Sequence, residues 1–244
     1  MNDRTGDGGT GTGGTGVRGT DPARTHWRGV TLFGPPAAGK DTVSAELHAR
    51  APRFAQLVKV KAGSGRTAGY RMIEAAELDR LRAGGRLLLE TRRYGNTYAV
   101  DRADLDALRA DGGVPLVHLG GVAHLRAFLD AVAEPWLNVL LWTPRAETAR
   151  RSAGRADRDT DERLTVWDTT RADLAALDPR SGLFHLLLRT DQLAPDKAAA
   201  AIAEAHAGGP LPPGTARTVA AFLAGLAADD RPDGRPGGRP ADGA

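Results

Sequence analysis

The stretch GPPAAGKDT at residues 34–42 constrains the fold more than any other part of the chain. It follows the apolar run Val30–Phe33, which predicts a short strand, and it opens the segment Lys40–Arg50, which predicts a helix. In a Gly-x-x-x-x-Gly-Lys loop between a strand and a helix, small residues let backbone N–H groups surround a phosphate. The helix N-terminus adds favourable partial positive charge. We therefore predict a phosphate-binding loop in an α/β protein.

The lysine of this loop has the position that nucleotide chemistry requires. Lys40 would reach the β- and γ-phosphates of a nucleoside triphosphate, and it is one of only four lysines among 33 basic residues. The alternative is an ordinary Gly/Pro-rich turn with one exposed lysine. The predicted ATP-binding residues are Gly34, Pro35, Pro36, Ala37, Ala38, Gly39, Lys40, Asp41 and Thr42.

Asp41 stands where such loops usually carry a hydroxyl that binds Mg²⁺. Its carboxylate is a hard oxygen ligand that Mg²⁺ also accepts, so we expect Asp41 to be a metal ligand. Thr42 keeps a hydroxyl for the α-phosphate. The alternative for Asp41 is an acid at a helix N-terminus that the helix dipole stabilises.

Composition excludes several classes of site. The 244 residues are 41% hydrophobic, enough for one domain with a core, and the absence of cysteine excludes disulfides and thiolate metal sites. No long apolar stretch or signal-like start is present. No basic stripe with interleaved aromatic residues accompanies the net charge of +3. We expect a soluble, cytoplasmic monomer or homodimer that binds neither membrane nor nucleic acid.

The ends of the chain differ from its middle. Residues 1–27 and 231–244 have almost nothing apolar to bury and are predicted to be disordered tails. Residues 209–230 combine a Pro/Gly break with a helix over 216–228. These segments frame one predicted domain at residues 28–208.

Strands and helices alternate within this domain. Strands are expected at residues 56–61, 86–91, Val114–Leu119, 137–143 and 185–190. Helices are expected from a cap at Asp101, over residues 122–133, after Pro144 and from about Pro195. The alternation predicts a mostly parallel sheet with helices on both faces. Trp136, Trp142 and Trp167 are expected to be core residues.

Several further segments follow the loop in a fixed order. They are AGYRMIEAAELDRLRAGGRLLLE, YGNTYAV, RRSAGRADRDTDERL and LLRTDQL. Together with GPPAAGKDT, they resemble the guanylate kinase family of P-loop kinases. The resemblance implies the three-layer P-loop fold, ATP and Mg²⁺ as cofactors, a small acceptor-binding domain inserted over residues 59–100, and a mobile lid over residues 152–163.

The resemblance also implies roles for individual side chains. Tyr70 and Tyr98 match the family's acceptor-side tyrosines, whereas Arg155, Arg158 and Arg163 match catalytic arginines in and after the lid. Such arginines neutralise a phosphoryl group in transfer once water is excluded. The alternative for the lid is a solvated helix start with Arg–Asp salt bridges.

The acceptor half of the pattern departs from the family. Lys59, Lys61 and Arg66 replace the family's Ser-x-Thr-Thr-Arg-x-x-Arg segment as the expected grip on an acceptor phosphate. The guanine-reading glutamate aligns with Leu89, so that Glu90 faces the other way in a strand. The acidic end of a core strand is replaced by His118, which is expected either to face the cleft or to be an ordinary polar terminus.

A neighbouring family, the ribose 1,5-bisphosphate phosphokinases, shares the Gly-Lys-Asp loop and the missing acidic strand end. Our leading hypothesis is an ATP-dependent, Mg²⁺-assisted kinase of a small acceptor that already bears a phosphate, either GMP-like or a sugar phosphate. The alternatives are a non-catalytic nucleotide-binding module and a kinase of an unphosphorylated alcohol. The latter would need a carboxylate base, for which Glu90 is the candidate.

Overall fold

The computed structural model describes residues 26–65, 67–93, 95–154, 160–208, 211 and 214–229. Residues 1–25 of the expected tail 1–27, the expected tail 231–244, all of the break at 209–213 except residue 211, and Arg66, Arg155 and Arg158 therefore lie outside the described residues. None of the helices within these ranges has both the length and the apolar character needed to cross a membrane.

The described residues form strands and helices that alternate along most of the chain. The strands are β1 (Val30–Phe33), β2 (Phe54–Gln56), β3 (Lys59–Ala62), β4 (Tyr70–Ile73), β5 (Leu87–Arg93), β6 (Asn96–Asp101), β7 (Val114–Leu119), β8 (Leu137–Trp142) and β9 (Leu186–Arg189). The helices are α1 (Lys40–Arg50), α2 (Ala75–Ala83), α3 (Arg102–Ala110), α4 (Val122–Val132), α5 (Arg145–Ala153), α6 (Thr160–Ala175), α7 (Pro195–His206) and α8 (Thr215–Asp229).

Five strands form a parallel sheet in the order β2-β7-β1-β8-β9. The central strands β1 and β8 are buried along their whole length, and both are apolar except for Thr31 and Asn138, where the Thr31 hydroxyl donates to Asn138 Oδ1 at 2.8 Å. Helices α1 and α7 pack on one face, and α3, α4, α6 and α8 on the other. The predicted α/β fold class with a mostly parallel sheet and helices on both faces is confirmed.

The core contains the tryptophans expected there. Trp136, Trp142 and Trp167 are each at most 6% exposed. The rings of Trp142 and Trp167 lie 5.1 Å apart, and the indole N–H of Trp167 donates to the backbone oxygen of Thr143 at 2.9 Å.

A second sheet lies between β2 and α3 in the sequence. Its order is β4-β3-β6-β5, and α2 covers one face through Val60, Leu78 and Ala99. The pairings Lys61↔Tyr98 and Thr91↔Tyr98 put these three side chains on the opposite face. This opposite face is turned towards the phosphate-binding loop.

The extended segment expected at residues 56–61 is divided between two strands that belong to different sheets. The chain pairs with β7 until Leu57, whose N–H donates to the backbone oxygen of Leu116, and it joins the second sheet at Lys59. Val58, which is 48% exposed, spans the crossing. A continuous extended segment therefore serves two sheets, a change of partner that periodicity does not encode.

Asp101 joins the second sheet to helix α3. Its side chain accepts from the backbone N–H of Ala103, which confirms the predicted cap. The same carboxylate is 1% exposed and accepts from Arg71 at 2.8 Å and from Arg86 at 2.9 and 2.7 Å. One buried acid therefore serves three donors on three elements.

Asp101→Ala is expected to lower the free energy of unfolding by about 3 kcal/mol, because a cap and both ion pairs are lost. The two arginines are partly exposed and become hydrated, which keeps the loss near the lower end for buried pairs. Asp106→Ala, on the exposed side of the same helix, should change the free energy of unfolding by less than about 0.5 kcal/mol. Urea denaturation of both variants measures the difference, and equal losses would contradict the assignment.

Candidate functional site

The loop between β1 and α1 has the backbone conformation of a ligand cradle. Ala37 and Gly39 have φ angles of 57° and 84°, in the left-handed region. Gly34 lies so close to β8 that a β-carbon there would overlap the backbone oxygen of Leu141. The loop therefore requires glycine at 34 for close packing and favours it at 39 for its turn.

Side-chain donors satisfy four successive carbonyl groups of the loop. The bonds are Lys40 Nζ to Gly34 O at 2.7 Å and to Pro35 O at 2.9 Å, Thr148 Oγ1 to Pro36 O at 3.3 Å, and Arg151 Nη1 to Ala37 O at 3.0 Å. Because these oxygens point into the protein, backbone N–H groups of the loop are left to face a ligand.

Arg151 was missed by sequence reasoning. It also donates to the backbone oxygen of Thr190 at 2.8 Å and to Glu147 at 2.6 Å, so it ties the loop to the end of β9. Thr148 and Arg151 are three residues apart on α5 and therefore share a face. That spacing was the only signal in the sequence.

A cavity of about 290 Å³, the first cavity, lies between the loop and the second sheet. The structure brings several predicted residues to it. Its lining includes Gly34, Pro36, Lys40, Asp41, Lys59, Tyr70, Tyr98 and His118. Loop residues and the expected acceptor side chains thus meet in one space, and His118 faces it.

Two lysines in this cavity are kept from water by the surrounding protein. The pKa of Lys40 is lowered to about 8, first by burial and to a lesser extent by the neighbouring Lys59 and Arg93, against an opposing effect of Asp41. Burial and then Arg93 lower the pKa of Lys59 to about 8. Lys59 donates to the backbone oxygen of His118 at 2.6 Å. An anion in the cavity would favour the charged form of both lysines.

Asp41 extends the site on the α1 side. Its Oδ1 lies 3.4 Å from Nδ1 of His118, while Nε2 of that ring lies 2.7 Å from the hydroxyl of Ser44. Burial lowers the pKa of His118, whereas Asp41 opposes this effect. The imidazole is thus held between a carboxylate and a hydroxyl.

The donor set fits Mg²⁺. Asp41 is 72% exposed at its side chain and is the only carboxylate among the described residues that line the first cavity. No cluster of three or more His, Cys, Asp or Glu suited to a metal occurs in the described part of the chain. One carboxylate that leaves the other positions to phosphate oxygens and water suits Mg²⁺, which is seldom bound by protein ligands alone.

Lys61 is not brought to the cavity lining. It is 2% exposed, and its ammonium donates to the backbone oxygen of Ser64 at 2.6 Å. The same group lies 5.6 Å from the ring centroids of both Tyr70 and Tyr98. Its position allows cation–π contacts that would orient the two tyrosines.

Leu89 and Glu90 face opposite sides of β5. Leu89 is buried in the core cluster, whereas Glu90 accepts two hydrogen bonds from Arg82, at 2.9 and 3.0 Å. Neither side chain lines a cavity described here. The structure therefore gives no support to Glu90 as a base for an alcohol acceptor.

Two further cavities are relevant to the site, one continuous with the first cavity and one beside the loop. A second cavity of about 280 Å³ runs between α6 and the β7–α4 turn, and it shares Arg93, Gly120 and His124 with the first cavity. A third cavity of about 230 Å³ lies beside Thr42, Arg151 and Thr190. Arg163, on α6, lies close enough to Lys40 to lower its pKa.

Comparison with known proteins finds a guanylate kinase among the relatives of this chain. No protein-family model matches the chain. A guanylate kinase from Leifsonia xyli subsp. xyli (strain CTCB07) is 31% identical over 163 residues, covering 64% of this chain and 63% of that relative. The chain thus spans less than two thirds of the length of the curated relative that it matches.

Solved structures show the same likeness. The crystal structure of guanylate kinase from Anaplasma phagocytophilum aligns with a TM-score of 0.53 at 17% identity and covers 75% of this chain and 87% of that one. The resemblance to guanylate kinases is confirmed. A sugar kinase from Janibacter sp. HTCC2649 aligns with a TM-score of 0.43 at 14% identity, over 75% of this chain and 99% of that one. The guanylate kinase alignment supports the P-loop kinase fold.

Sulfate binding is expected to weaken as the pH rises through 8, because the Lys59 ammonium, with a pKa of about 8, loses its charge. Each pH unit above 8 should reduce the affinity by up to about tenfold. Sulfate remains a dianion over this range, so the titrating groups are lysines of the cavity, and Lys40, whose pKa is also about 8, adds to the effect of Lys59. Calorimetric titration between pH 7 and 10 measures the effect.

The matched variant for this test is Lys59→Met, which should bind sulfate weakly and with a flatter pH profile. In the absence of an anion, the pH affects folding stability in the opposite direction, so that Lys59 favours the folded protein at high pH. Since the pKa of Lys59 is lowered on folding from 10.5 to about 8, its contribution to stability is present above 10.5 and is lost as the pH falls through 8. A sulfate affinity that is independent of pH would contradict this account.

Proposed function

We propose that this protein transfers the terminal phosphoryl group of ATP to a small molecule that already bears a phosphate. The observation that carries the proposal is the loop at residues 34–42. Its carbonyl groups are bonded from within the protein, and Lys40 lies at its end in a cavity with Lys59. The similarity to guanylate kinase supports the same reading.

The donor side would be held by the loop and by α1. Backbone N–H groups and the α1 N-terminus would bind the phosphates, with Lys40 exchanging its two carbonyl partners for phosphate oxygens. Thr42 would contact the α-phosphate. The third cavity, beside Thr42 and Arg151, is where the rest of the nucleotide would extend.

The acceptor side would be held by the second sheet. Lys59, Tyr70 and Tyr98 line the first cavity opposite the loop, and Lys61 would orient the two tyrosines. A phosphate oxygen is already ionised near neutral pH and needs no general base. The catalytic task is therefore alignment and charge neutralisation, which we assign to Lys40 and to Arg155, Arg158 and Arg163.

Asp41 would hold Mg²⁺ beside the phosphates. The ion would neutralise phosphate charge and orient the transferred group. His118 would fix the Asp41 carboxylate through the contact at 3.4 Å, and it is itself fixed by Ser44.

A sugar phosphate is the second candidate acceptor beside GMP. Leu89 occupies the aligned position of a guanine-reading glutamate and is buried in the core, while Glu90 is bonded to Arg82 on the other face. No carboxylate of the second sheet therefore faces the first cavity within the described residues. A GMP base would meet no carboxylate of the second sheet there, whereas a phosphate would still meet Lys59.

Lys40→Met is expected to reduce turnover by about a hundredfold or more, since one cation of the reacting phosphates is removed. Mg-ATP binding is measured by calorimetry, and ADP release is followed with GMP, other nucleoside monophosphates and ribose 1,5-bisphosphate. Lys197→Met is the matched control, because that side chain is 71% exposed on α7. Full activity of Lys40→Met would contradict the proposal.

The alternative hypothesis, a non-catalytic nucleotide-binding module, predicts different results in the same assays. It binds Mg-ATP with Lys40-dependent affinity, yet it releases no ADP with any acceptor. An absence of affinity for Mg-ATP and Mg-GTP would remove both readings, because both depend on the loop.

Asp41→Asn separates the two roles considered for this acid. If Asp41 binds the metal, Mg²⁺ should strengthen ADP binding about tenfold less in the variant than in the native chain, since one charged ligand is lost. If Asp41 only interacts with the helix dipole, the variant should lower stability by about 0.5 kcal/mol with Mg²⁺ dependence unchanged. ADP affinity with Mg²⁺ and with EDTA decides, with Glu46→Gln on the same helix as control.

A further inference from the structure

Arg93 ends strand β5 on the side that faces the phosphate-binding loop. It is four residues from Leu89 and two from Thr91, so these side chains point the same way along the strand. A β-carbon placed on Gly120 would lie 3.9 Å from Nη1 of Arg93. The guanidinium therefore reaches the carboxyl end of β7, where Lys59 also reaches.

No residue that the structure describes forms an ion pair with this guanidinium. Among the residues that the structure describes, its side chain has no hydrogen-bond or ion-pair partner, although fifteen other ion pairs occur there. It lies close enough to Lys40, Lys59 and His124 to lower the pKa of each. Neighbouring positive charges repel one another and destabilise the folded protein, and a bound anion removes this repulsion.

The charge of the first cavity fits a dianion. Lys40, Lys59 and Arg93 line it, and the carboxylate that faces them is that of Asp41. The arrangement leaves an excess of positive charge with planar, bidentate donors at Arg93, a geometry that matches phosphate.

Arg93 also lies where the first cavity meets the second. Beyond it, the second cavity is lined by Glu162, Thr169 and Asp173 on α6. These three residues are spaced by seven and four positions, so they follow one face of the helix. Their oxygens accept hydrogen bonds, and they would complement hydroxyl or amino groups rather than a second phosphate.

We infer that Arg93, together with Lys59, binds the phosphate of the acceptor, and that the remainder of the acceptor lies along α6 in the second cavity. This inference rests on the proposed function, because only a kinase would have an acceptor. It names the substrate class as a phosphate monoester whose remaining part carries hydrogen-bond donors. Lys40 then binds the donor phosphates, and Arg93 binds the acceptor phosphate on the opposite side of the same cavity.

The binding test does not depend on turnover. Sulfate is titrated calorimetrically into Lys40→Met and into Lys40→Met/Arg93→Met, so that the loop contributes little in either protein. Loss of Arg93 should weaken sulfate binding by roughly tenfold or more, as expected for charge-assisted hydrogen bonds. The matched control is Lys40→Met/Arg92→Met, because Arg92 is 80% exposed and lies 4.0 Å from Glu90 on the other face.

The kinetic test uses whichever phosphate monoester the acceptor panel identifies. Arg93→Met should raise KM for that acceptor by roughly tenfold or more while Mg-ADP affinity stays unchanged, and Arg93→Lys should recover part of the loss. Asp173→Asn should raise the same KM with sulfate binding unchanged, because it contacts the part of the acceptor that lacks phosphate.

The outcomes separate this inference from the proposed function. If no acceptor is turned over but sulfate binding still depends on Arg93 and not on Arg92, the anion site stands and the kinase proposal fails. Sulfate binding that is equal in the Arg93 and Arg92 variants overturns the inference, whether or not the protein is a kinase. A rise in KM for acceptor that is shared by both arginine variants overturns it as well.

Discussion

The site depends on where the carbonyl groups of the loop point. The loop's oxygens accept bonds from Lys40, Thr148 and Arg151, and oxygens held in this way are kept from turning towards an anion that N–H groups would bind. The parallel sheet makes this possible, since α1 and α5 both begin at its carboxyl edge and enclose the loop between them. Gly34 completes the arrangement, because only a residue without a β-carbon fits against Leu141. The fold thus sets the polarity of the loop before any ligand binds.

The meeting of the loop and the second sheet at one edge also has an electrostatic consequence. Lys59 and Arg93 reach across from another sheet to the same edge, so cations from separate parts of the chain meet in a partly buried space. The pKa values of Lys40 and Lys59 are lowered to about 8, mainly by burial. The site therefore disfavours the charged form of its own lysines. Binding of a polyanion relieves this cost. The affinity of the site and the stability of the protein are therefore linked through the same groups.

Local features of the site could be predicted from the sequence, whereas contacts between elements could not. The loop, the helix after it and the Asp101 cap follow from residues within a few positions of one another. The change of sheet at Val58 does not, because both partners of that segment lie far along the chain. Strand alternation places Arg93 on the face of Leu89, but Arg93 belongs to no family motif, so the sequence alone did not single it out. Lys61 was expected to bind the acceptor, but packing against two tyrosines decides its position.

Two departures from the guanylate kinase pattern are physically one change. Asp41 and His118 were noted separately in the sequence, on α1 and at the end of β7, yet their side chains are 3.4 Å apart. A carboxylate at position 118 would face the carboxylate of Asp41 at that distance, and two such groups cannot both stay ionised without cost. An imidazole avoids the repulsion and gives Asp41 a partner, while Ser44 holds the ring from its other side. In this chain the carboxylate at this edge of the sheet stands on the helix, and the histidine on the strand supports it.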